Sequence, residues 1–295
     1  MKFSIGEAFT DLIEWLQNNF EPFFDAVTVT VENTTQGLEA VLMFLPDSLM
    51  VALLALLAWA VASRGVAIFT FIGMGLLAEI EFTILGTQLT IGMGYWAETM
   101  ATLSLIMTAS FLSLLIGIPL GIWAAKSETV DAIVRPILDF MQTMPPFVYL
   151  IPAVVLFGLG TVPGVISTFI FATPPCVRLT NLGIRQVSEE AIEAAKSFGS
   201  TPSQLLFKVE LPMALSTILA GVNQTVLLAL SMVVVAALIG SRGLGAPVVE
   251  GLTQLQIGKG FEGGLGIVIV AIFLDRITQA VGEQAGSTTE AGQPA

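Results

Sequence analysis

The hydrophobic positions of this chain are gathered into long segments with shorter polar stretches between them. About twenty apolar residues are enough for a helix to cross a bilayer, and in lipid a helix satisfies its own backbone hydrogen bonds. The apolar segments lie at 48–63, 65–79, 98–124, 137–160, 162–178, 213–239 and 264–281. We therefore predict an all-α, polytopic membrane protein with about seven transmembrane helices in a domain that spans residues 48–281.

The first 47 residues are predicted to form an acidic amphipathic region outside the membrane, and they contain eight acidic residues and one basic residue, Lys2. Apolar residues that recur at helical spacing predict an amphipathic helix; they are Ile5, Phe9, Leu12, Ile13, Leu16 and Phe20. Trp15 suits a membrane interface, but anionic lipid would repel the acidic face, so the helix can instead rest on the protein's own spans. At the other end, residues 282–295 are small or polar and are predicted to form a disordered tail.

The longest polar interruption in the second half of the chain, residues 188–212, predicts a helical hairpin. Ser188 can cap a helix that has two glutamates in its first turn, and Gly199 stands where a left-handed residue ends a helix. A second helix start has a cap, a first-turn proline and a capping-box glutamine; these are Thr201, Pro202 and Gln204. Pro212 would open the next apolar run. These features favour either a surface to which another protein binds or an ordinary cytoplasmic loop.

Composition excludes several functional classes. The chain has 295 residues, of which 55% are hydrophobic and only 12% are charged, too few charges to cover the surface of a soluble domain. Because it has no histidine and a single cysteine, zinc clusters, Ser-His-Asp triads and disulfide frameworks are excluded, and no metal site is predicted. The cysteine, Cys176, is expected to be a small buried residue. The net charge of -12 argues against nucleic acid as a partner.

The sequence contains no segment that could bind ATP by itself. Gly258-Lys259 matches the end of a phosphate-binding loop, but the preceding glycine, Gly251, is too far back and Gly260 stands where Ser or Thr is required. The chain also lacks a nucleophile-base pair, so we expect a protein that is not an enzyme and has no cofactor of its own. If ATP drives it, another subunit must hydrolyse the ATP.

Basic residues in the short loops predict the orientation of the spans, because such loops stay in the cytoplasm. Basic residues follow the first, third, fifth and seventh spans; they are Arg64, Lys126, Arg135, Arg178, Arg185, Lys196, Lys208 and Arg276. The alternate loops carry acids, and only Arg242 and Lys259 break the pattern, where Glu250 and Glu262 offset them. We therefore expect the N-terminus outside, and the C-terminus and residues 188–212 in the cytoplasm of a bacterial cell.

Polar residues at membrane depth indicate either a solute path or hydrogen bonds between helices. Asn223 lies about 16 Å along a helix from Pro212, near mid-bilayer, and both interpretations stay open for it and for Gln224. The candidate path residues are Gln142, Met144, Phe147, Tyr149, Asn223 and Gln224. Aromatic faces suit a quaternary ammonium solute, but Phe147 and Tyr149 point to different sides of a helix, so at most one of them faces the path.

Charged residues near the fourth and fifth segments favour structural roles. Asp139 is predicted to be an interfacial carboxylate partnered by Arg135 one turn earlier, with a place on the path as the alternative. Arg178 and Arg185 are expected to anchor at the inner interface rather than to bind solute. Three prolines interrupt the fourth segment, and neighbouring helices or water must satisfy the carbonyls that they free; they are Pro145, Pro146 and Pro152.

The residues of the predicted hairpin resemble the EAA motif of ABC-importer permease subunits. The matching positions are Glu193-Ala194-Ala195, Gly199 after three further residues, and, after nine more, Val209-Glu210-Leu211-Pro212, where Val209 replaces the common Ile. Longer stretches are similar to the ProW-type permeases of glycine betaine/proline betaine ABC importers. They are 141–152, 174–187 and 220–234, and the similarity is dense over 98–281.

This resemblance implies the type I ABC-importer permease fold and a homodimer in the bacterial plasma (inner) membrane. Its partners would be two cytoplasmic ATPase subunits that bind ATP and Mg, and an extracytoplasmic substrate-binding protein that delivers a betaine osmoprotectant. In the family the hairpin docks on the ATPase through the positions of Glu193, Ala194, Ala195 and Gly199, and Leu211-Pro212 passes the motion to the sixth span. The alternative is an ion-coupled secondary transporter or channel, which would need no ordered hairpin but more charge within the membrane.

Overall fold

The apolar segments fold into a bundle of helices, for which a computed structural model describes residues 5–84 and 87–290. The helices are α1 Ile5–Leu42, α2 Asp47–Val61, α3 Arg64–Leu77, α4 Trp96–Lys126, α5 Glu128–Thr143, α6 Pro146–Phe157, α7 Thr161–Arg185, α8 Glu189–Ser197, α9 Pro202–Leu205, α10 Leu211–Ser231, α11 Val233–Ala237, α12 Gly245–Thr253 and α13 Ile257–Glu290. A π turn, Leu206–Glu210, joins α9 to α10. Two strands, β1 Ile80–Ile84 and β2 Thr87–Ile91, lie between α3 and α4.

The number of spans differs from the seven predicted. Four helical runs in the described part of the chain are long and apolar enough to cross a membrane: Trp96–Lys126, Thr161–Arg185, Pro202–Ala237 and Ile257–Gln284. Two bent pairs, α1 with α2 at 96° and α5 with α6 at 100°, raise the number to six if each pair counts as one span. The first two predicted spans are helices of only 15 and 14 residues, shorter than the roughly 20 that a full span needs.

The fourth predicted span, 137–160, is two helices rather than one. Its first helix begins earlier than predicted, at Glu128, where the side chain of Ser127 accepts the N–H of Val130 at 3.4 Å. It ends at Thr143, because Met144 precedes a proline and takes the extended conformation (φ -70°, ψ 132°). The chain then turns sharply into α6.

The predicted amphipathic helix of the N-terminal region is α1, and it continues to Leu42. It kinks at Phe20 (φ -122°, ψ 21°), two residues before a proline that the helix encloses. Beyond the kink the helix rests on the protein's own spans: Phe24 meets Phe157 edge-to-face at 5.5 Å, and Thr35 donates to Thr108 of α4 at 3.3 Å. Before the kink, Trp15 is exposed. The interpretation that α1 packs on its own chain is confirmed for its second half.

The two strands form an antiparallel hairpin in which Ile80 lies opposite Ile91 and Ile84 opposite Thr87. We did not predict it, although the alternation of apolar and polar residues over 80–84 is the pattern typical of a strand. With this exception among the described residues, the predicted all-helical class is confirmed.

Close packing of α4 on α7 fixes the centre of the bundle. A Cβ on Gly121 would lie 2.6 Å from the Cβ of Thr180, and one on Gly117 would lie 2.9 Å from the Sγ of Cys176. The two helices can approach this closely only because these positions lack side chains. Cys176 is buried, as predicted.

Polar and ionic pairs between side chains hold the end of the bundle at which α4 begins. The Tyr95 hydroxyl donates to Glu262 Oε2 at 3.2 Å. Burial raises the pKa of Tyr95 above its usual range, and the Glu262 carboxylate raises it further, so the hydroxyl keeps its proton. Lys259 pairs with Glu250, and Arg242 pairs with Glu39 of α1 at 3.2 Å.

The C-terminal helix continues beyond the point at which we predicted disorder. It runs to Glu290, so residues 282–290 of the predicted tail are helical. Residues 291–295 of that tail lie outside the described residues.

Candidate functional site

The segment 188–212, called the hairpin below, begins as the sequence predicts. The N–H of Ala191 donates to the Ser188 side chain at 3.4 Å, and Glu189 and Glu190 occupy the first turn of α8. This helix has nine residues, and none of them is buried. The protein's own core therefore contributes little to the stability of α8.

The turn of the hairpin also has the predicted geometry. Gly199 has φ +79°, a left-handed conformation that glycine adopts without strain. The next helix starts with a complete capping box: Thr201 N–H donates to Gln204 Oε1 at 2.9 Å, and Gln204 N–H donates to Thr201 Oγ1 at 3.3 Å. Both arms are thus held by local hydrogen bonds, and the hairpin is an ordered element.

The second arm continues without a break into the sixth predicted span, and Pro212 stands at the start of the apolar helix α10, as expected. From Pro202 to Ala237 the chain is one 36-residue helical run. The π turn ends two residues before Pro212, which has no N–H and whose ring would clash with the carbonyl four residues earlier in a regular helix. A wider turn is one way in which a helix meets these constraints without stopping.

The motif residues lie where a partner could reach most of them. Glu193, Ala194 and Gly199 are exposed, and Ala195 is partly exposed. Farther along the second arm, Leu211 is partly buried and Pro212 is exposed. The EAA residues and Gly199 can therefore contact another protein, whereas Leu211 and Pro212 lie on the helix that leads into the bundle.

Two residues of the hairpin were missed in the sequence analysis. Phe198, directly before the glycine of the turn, is 91% exposed. A large apolar residue next to a turn glycine could have indicated an exposed contact residue from the sequence alone. Glu210 is buried and pairs with Lys126 at the end of α4. The EAA motif allows any residue at position 210, so the motif could not predict that this carboxylate is buried.

The two aromatic path candidates point to different sides, as predicted. Phe147 is 55% exposed, whereas Tyr149 is buried and meets Phe171 of α7 at 6.3 Å. The Tyr149 hydroxyl donates to the carbonyl of Met141, across the bend between α5 and α6. Of the other candidates on these helices, Gln142 is exposed and Met144 is partly exposed. Tyr149 therefore supports the bend between α5 and α6, whereas Gln142, Met144 and Phe147 lie at the surface of the bend.

The structure does not bring the remaining two candidates together with Tyr149. Asn223 Nδ2 donates to Asp275 Oδ1 of α13 at 3.2 Å, and Asn223 Oδ1 accepts from Thr278. Gln279 also donates to Asp275, at 2.6 Å. This network favours the packing interpretation for Asn223. Gln224 is exposed and stays available to a path.

The predicted pair of Asp139 with Arg135 is wrong. Asp139 pairs with Arg178 of α7, and Arg135 pairs with Asp131 at 2.6 Å on its own helix. The reason is that α5 lies against α7, so the arginines of α7 reach its carboxylates; Arg185 lies 3.4 Å from Asp131. These side chains line a cleft of about 330 Å³ between α5 and α7. In the part of the chain that the structure describes, no group of three metal-ligating side chains occurs.

Solved structures of low identity share this fold. An inward-facing structure of the MetNI methionine ABC transporter has a TM-score of 0.54 at 21% identity and covers 64% of this chain and 92% of its own. A second crystal form has a TM-score of 0.56 at 19% identity and covers 66% and 95%. The chain therefore has the type I ABC-importer permease fold, and the predicted fold class is confirmed.

Sequence relatives define the family. The family model for the inner membrane component of binding-protein-dependent transport systems matches residues 117–283. The chain is 48% identical to the glycine betaine transport system permease protein OpuAB of Bacillus subtilis, over 91% of each chain. It is 47% identical to the glycine betaine/proline betaine permease protein ProW of Escherichia coli, over 94% of this chain and 75% of ProW. It is 50% identical to the glycine betaine/carnitine permease protein GbuB of Listeria monocytogenes, over 91% and 92%. The chain belongs to this family of multi-pass inner-membrane permeases.

Proposed function

We propose that this chain is the permease subunit of an ATP-driven importer for glycine betaine, proline betaine and related quaternary ammonium osmoprotectants. The support is the identity of about half its residues to permeases named for glycine betaine, over nine-tenths of the chain. Competition tests the substrate class: excess proline betaine should suppress ATP-dependent uptake of labelled glycine betaine, and excess glycine should not. Choline and carnitine, tested as competitors in the same way, show how wide the substrate range of the importer is. Equal suppression by glycine would contradict a site for quaternary ammonium.

The observation that carries the coupling role is the exposed helix α8. A nine-residue helix with no buried residue gains little stability from packing on its own chain, so contact with a partner would stabilise it further. We assign Glu193, Ala194, Ala195 and Gly199 to contact with a cytoplasmic ATPase subunit. Leu211 and Pro212 then pass its movement to α10, because α9, the π turn and α10 are one helical run.

The full importer in this proposal contains two copies of this chain, two ATPase subunits that bind ATP and Mg, and an extracytoplasmic binding protein that delivers the solute. The N-terminus lies outside, and the hairpin and the C-terminus lie in the cytoplasm. Support for this orientation comes from the basic residues at the hairpin end of the bundle. The opposite end, where α4 begins, lies about 45 Å away along that 31-residue helix.

The solute path runs along the candidate side chains that are exposed or partly exposed, which are Gln142, Met144, Phe147 and Gln224. Phe147 offers an aromatic face to the quaternary ammonium group. Tyr149 and Asn223 support the helices behind the path through their contacts with α7 and α13.

A further inference from the structure

Both stems of the hairpin are fastened to the last turn of α4. The first stem is the end of α7, where Arg185 Nη2 donates to the carbonyl of Ala124 at 3.0 Å. The second stem is the π turn, where Glu210 pairs with Lys126, the residue at which α4 ends. The two attachment points are therefore two residues apart on one helix.

In the attachment of the second stem, the carboxylate is buried. The Glu210 side chain is 4% exposed and the Lys126 side chain 40%, so the carboxylate has little access to water, and lysine supplies its compensating charge. A small apolar cluster that joins α4, α7 and α10 lies beside the pair; its members are Ile184, Ala214 and Ile218, with Ile118, Ile122, Ala125, Leu206 and Leu211 at its edge. Glu210 thus fixes the π turn to α4 at the end of a packed cluster.

The attachment of the first stem extends to α5. Arg185 Nε donates to Asn181 at 2.8 Å on its own helix, and its Nη2 lies 3.4 Å from Asp131 of α5. A displacement of the hairpin therefore reaches α4 and α5 through polar contacts, in addition to α10, with which it is continuous.

We propose that the Lys126–Glu210 pair is a positioning link that makes α4 move together with the hairpin, so that one docking event drives α4 and α10 at once. The partner that moves the hairpin is the ATPase of the proposed function, on which this proposal rests. Without the pair, the π turn would lose its charged contact with α4, and part of the hairpin's displacement would be lost in that turn rather than passed to α4.

Three variants and one control test the link in proteoliposomes that hold the complete importer. Glu210→Gln and Lys126→Met each remove one charge, and the combined exchange Lys126→Glu with Glu210→Lys restores a pair. The measured quantity is solute taken up per ATP hydrolysed, together with copurification of the ATPase. We expect each single variant to lower this ratio by about fivefold or more with the ATPase still bound, and the exchange to recover most of the loss. Lys259→Met, which breaks the more exposed Lys259–Glu250 pair at the far end of the bundle, should leave the ratio unchanged.

Hydrogen exchange tests the attachment without transport. In the isolated permease, Glu210→Gln and Lys126→Met should each increase amide exchange in the π turn and in the last turn of α4, and Lys259→Met should not. An unchanged ratio of uptake to hydrolysis in both single variants would overturn the positioning role even if exchange increased, and unchanged exchange would overturn the attachment. If the unmodified complex shows no ATP-dependent uptake, the proposed function fails, and exchange still decides whether α4 is held by the pair.

Discussion

Asn223 of α10 donates a hydrogen bond to Asp275 of α13 at 3.2 Å, which joins the last spanning helix to the run that continues from the hairpin. Thr278 donates to the same asparagine, so both ends of the Asn223 amide are satisfied within the protein. The adjacent Gln224 is exposed. Two neighbouring polar residues at one depth thus have different surroundings, and they should respond differently to the same substitution.

Asn223→Ala should lower stability and leave the KM for solute unchanged. The loss should be about 1 kcal/mol, because a hydrogen bond between helices in a membrane contributes about 0.6 kcal/mol and Asn223 makes two. Gln224→Ala should raise the KM without a comparable loss of stability. Thermal unfolding in detergent and uptake kinetics separate the two effects. A raised KM for Asn223→Ala with an unchanged Tm would place Asn223 on the path instead.

Phe198→Ala should weaken binding of the ATPase about thirtyfold or more. Large exposed aromatic residues that enter a partner's pocket are common binding hot spots, where truncation costs about 2 kcal/mol or more. Phe261→Ala is the matched control, because Phe261 is also exposed, at 69%, but lies near the start of α13, away from the hairpin. Titration of the purified ATPase against each variant gives the affinities. Equal affinity for Phe198→Ala and the unmodified permease would exclude Phe198 as an anchor.

Gly121→Ala should destabilise the permease, whereas Gly264→Ala should not. The new Cβ at position 121 would lie 2.6 Å from Thr180, and the one at position 264 has no heavy atom within 4 Å apart from its own helix and chain neighbours. Overpacking of this kind costs about 1–3 kcal/mol, while the same change in open helix stabilises by about 0.5–1 kcal/mol. Thermal unfolding of both variants in one detergent checks the difference. A similar Tm for the two would show that α4 and α7 can separate at little cost.

The sequence predicted the local structure of the hairpin well because caps, capping boxes and left-handed glycines depend on residues a few positions apart. Ser188, Gly199 and Thr201 each make the contacts expected of their type. What the sequence could not predict depends on distant residues. The partner of Glu210 is 84 positions away, and Asp139 pairs with Arg178, 39 positions away, rather than with the nearby Arg135.

The span boundaries were less predictable for a similar reason. Hydropathy identified segment 137–160 as apolar, but the direction of the chain there is set by the residue before Pro145, which cannot continue the helix. The apolar pattern of 48–63 and 65–79 was correct, yet their lengths make two short helices. Among the candidate path residues, the sequence could not show that Tyr149 contacts Phe171 of α7 or that Asn223 bonds to Asp275 of α13.

Labelling of single cysteines should confirm the proposed orientation. Ser203→Cys on the exposed part of the hairpin should react with a membrane-impermeant maleimide only after the cells are permeabilised, and Thr253→Cys at the end of α12 should react in intact cells. Cys176 is buried, so the background should be low. Labelling of Ser203→Cys in intact cells would show the opposite orientation. The hairpin would then lie outside the cytoplasm, where no ATPase subunit could bind it.

We infer that this chain carries solute only as part of an ATP-driven complex. The most direct measurement is uptake of labelled glycine betaine into proteoliposomes that contain this chain, its ATPase and its binding protein, with each component omitted in turn. We expect uptake that requires ATP and all three proteins. Uptake by this chain alone, driven by an ion gradient, would contradict it and would establish an ion-coupled secondary transporter.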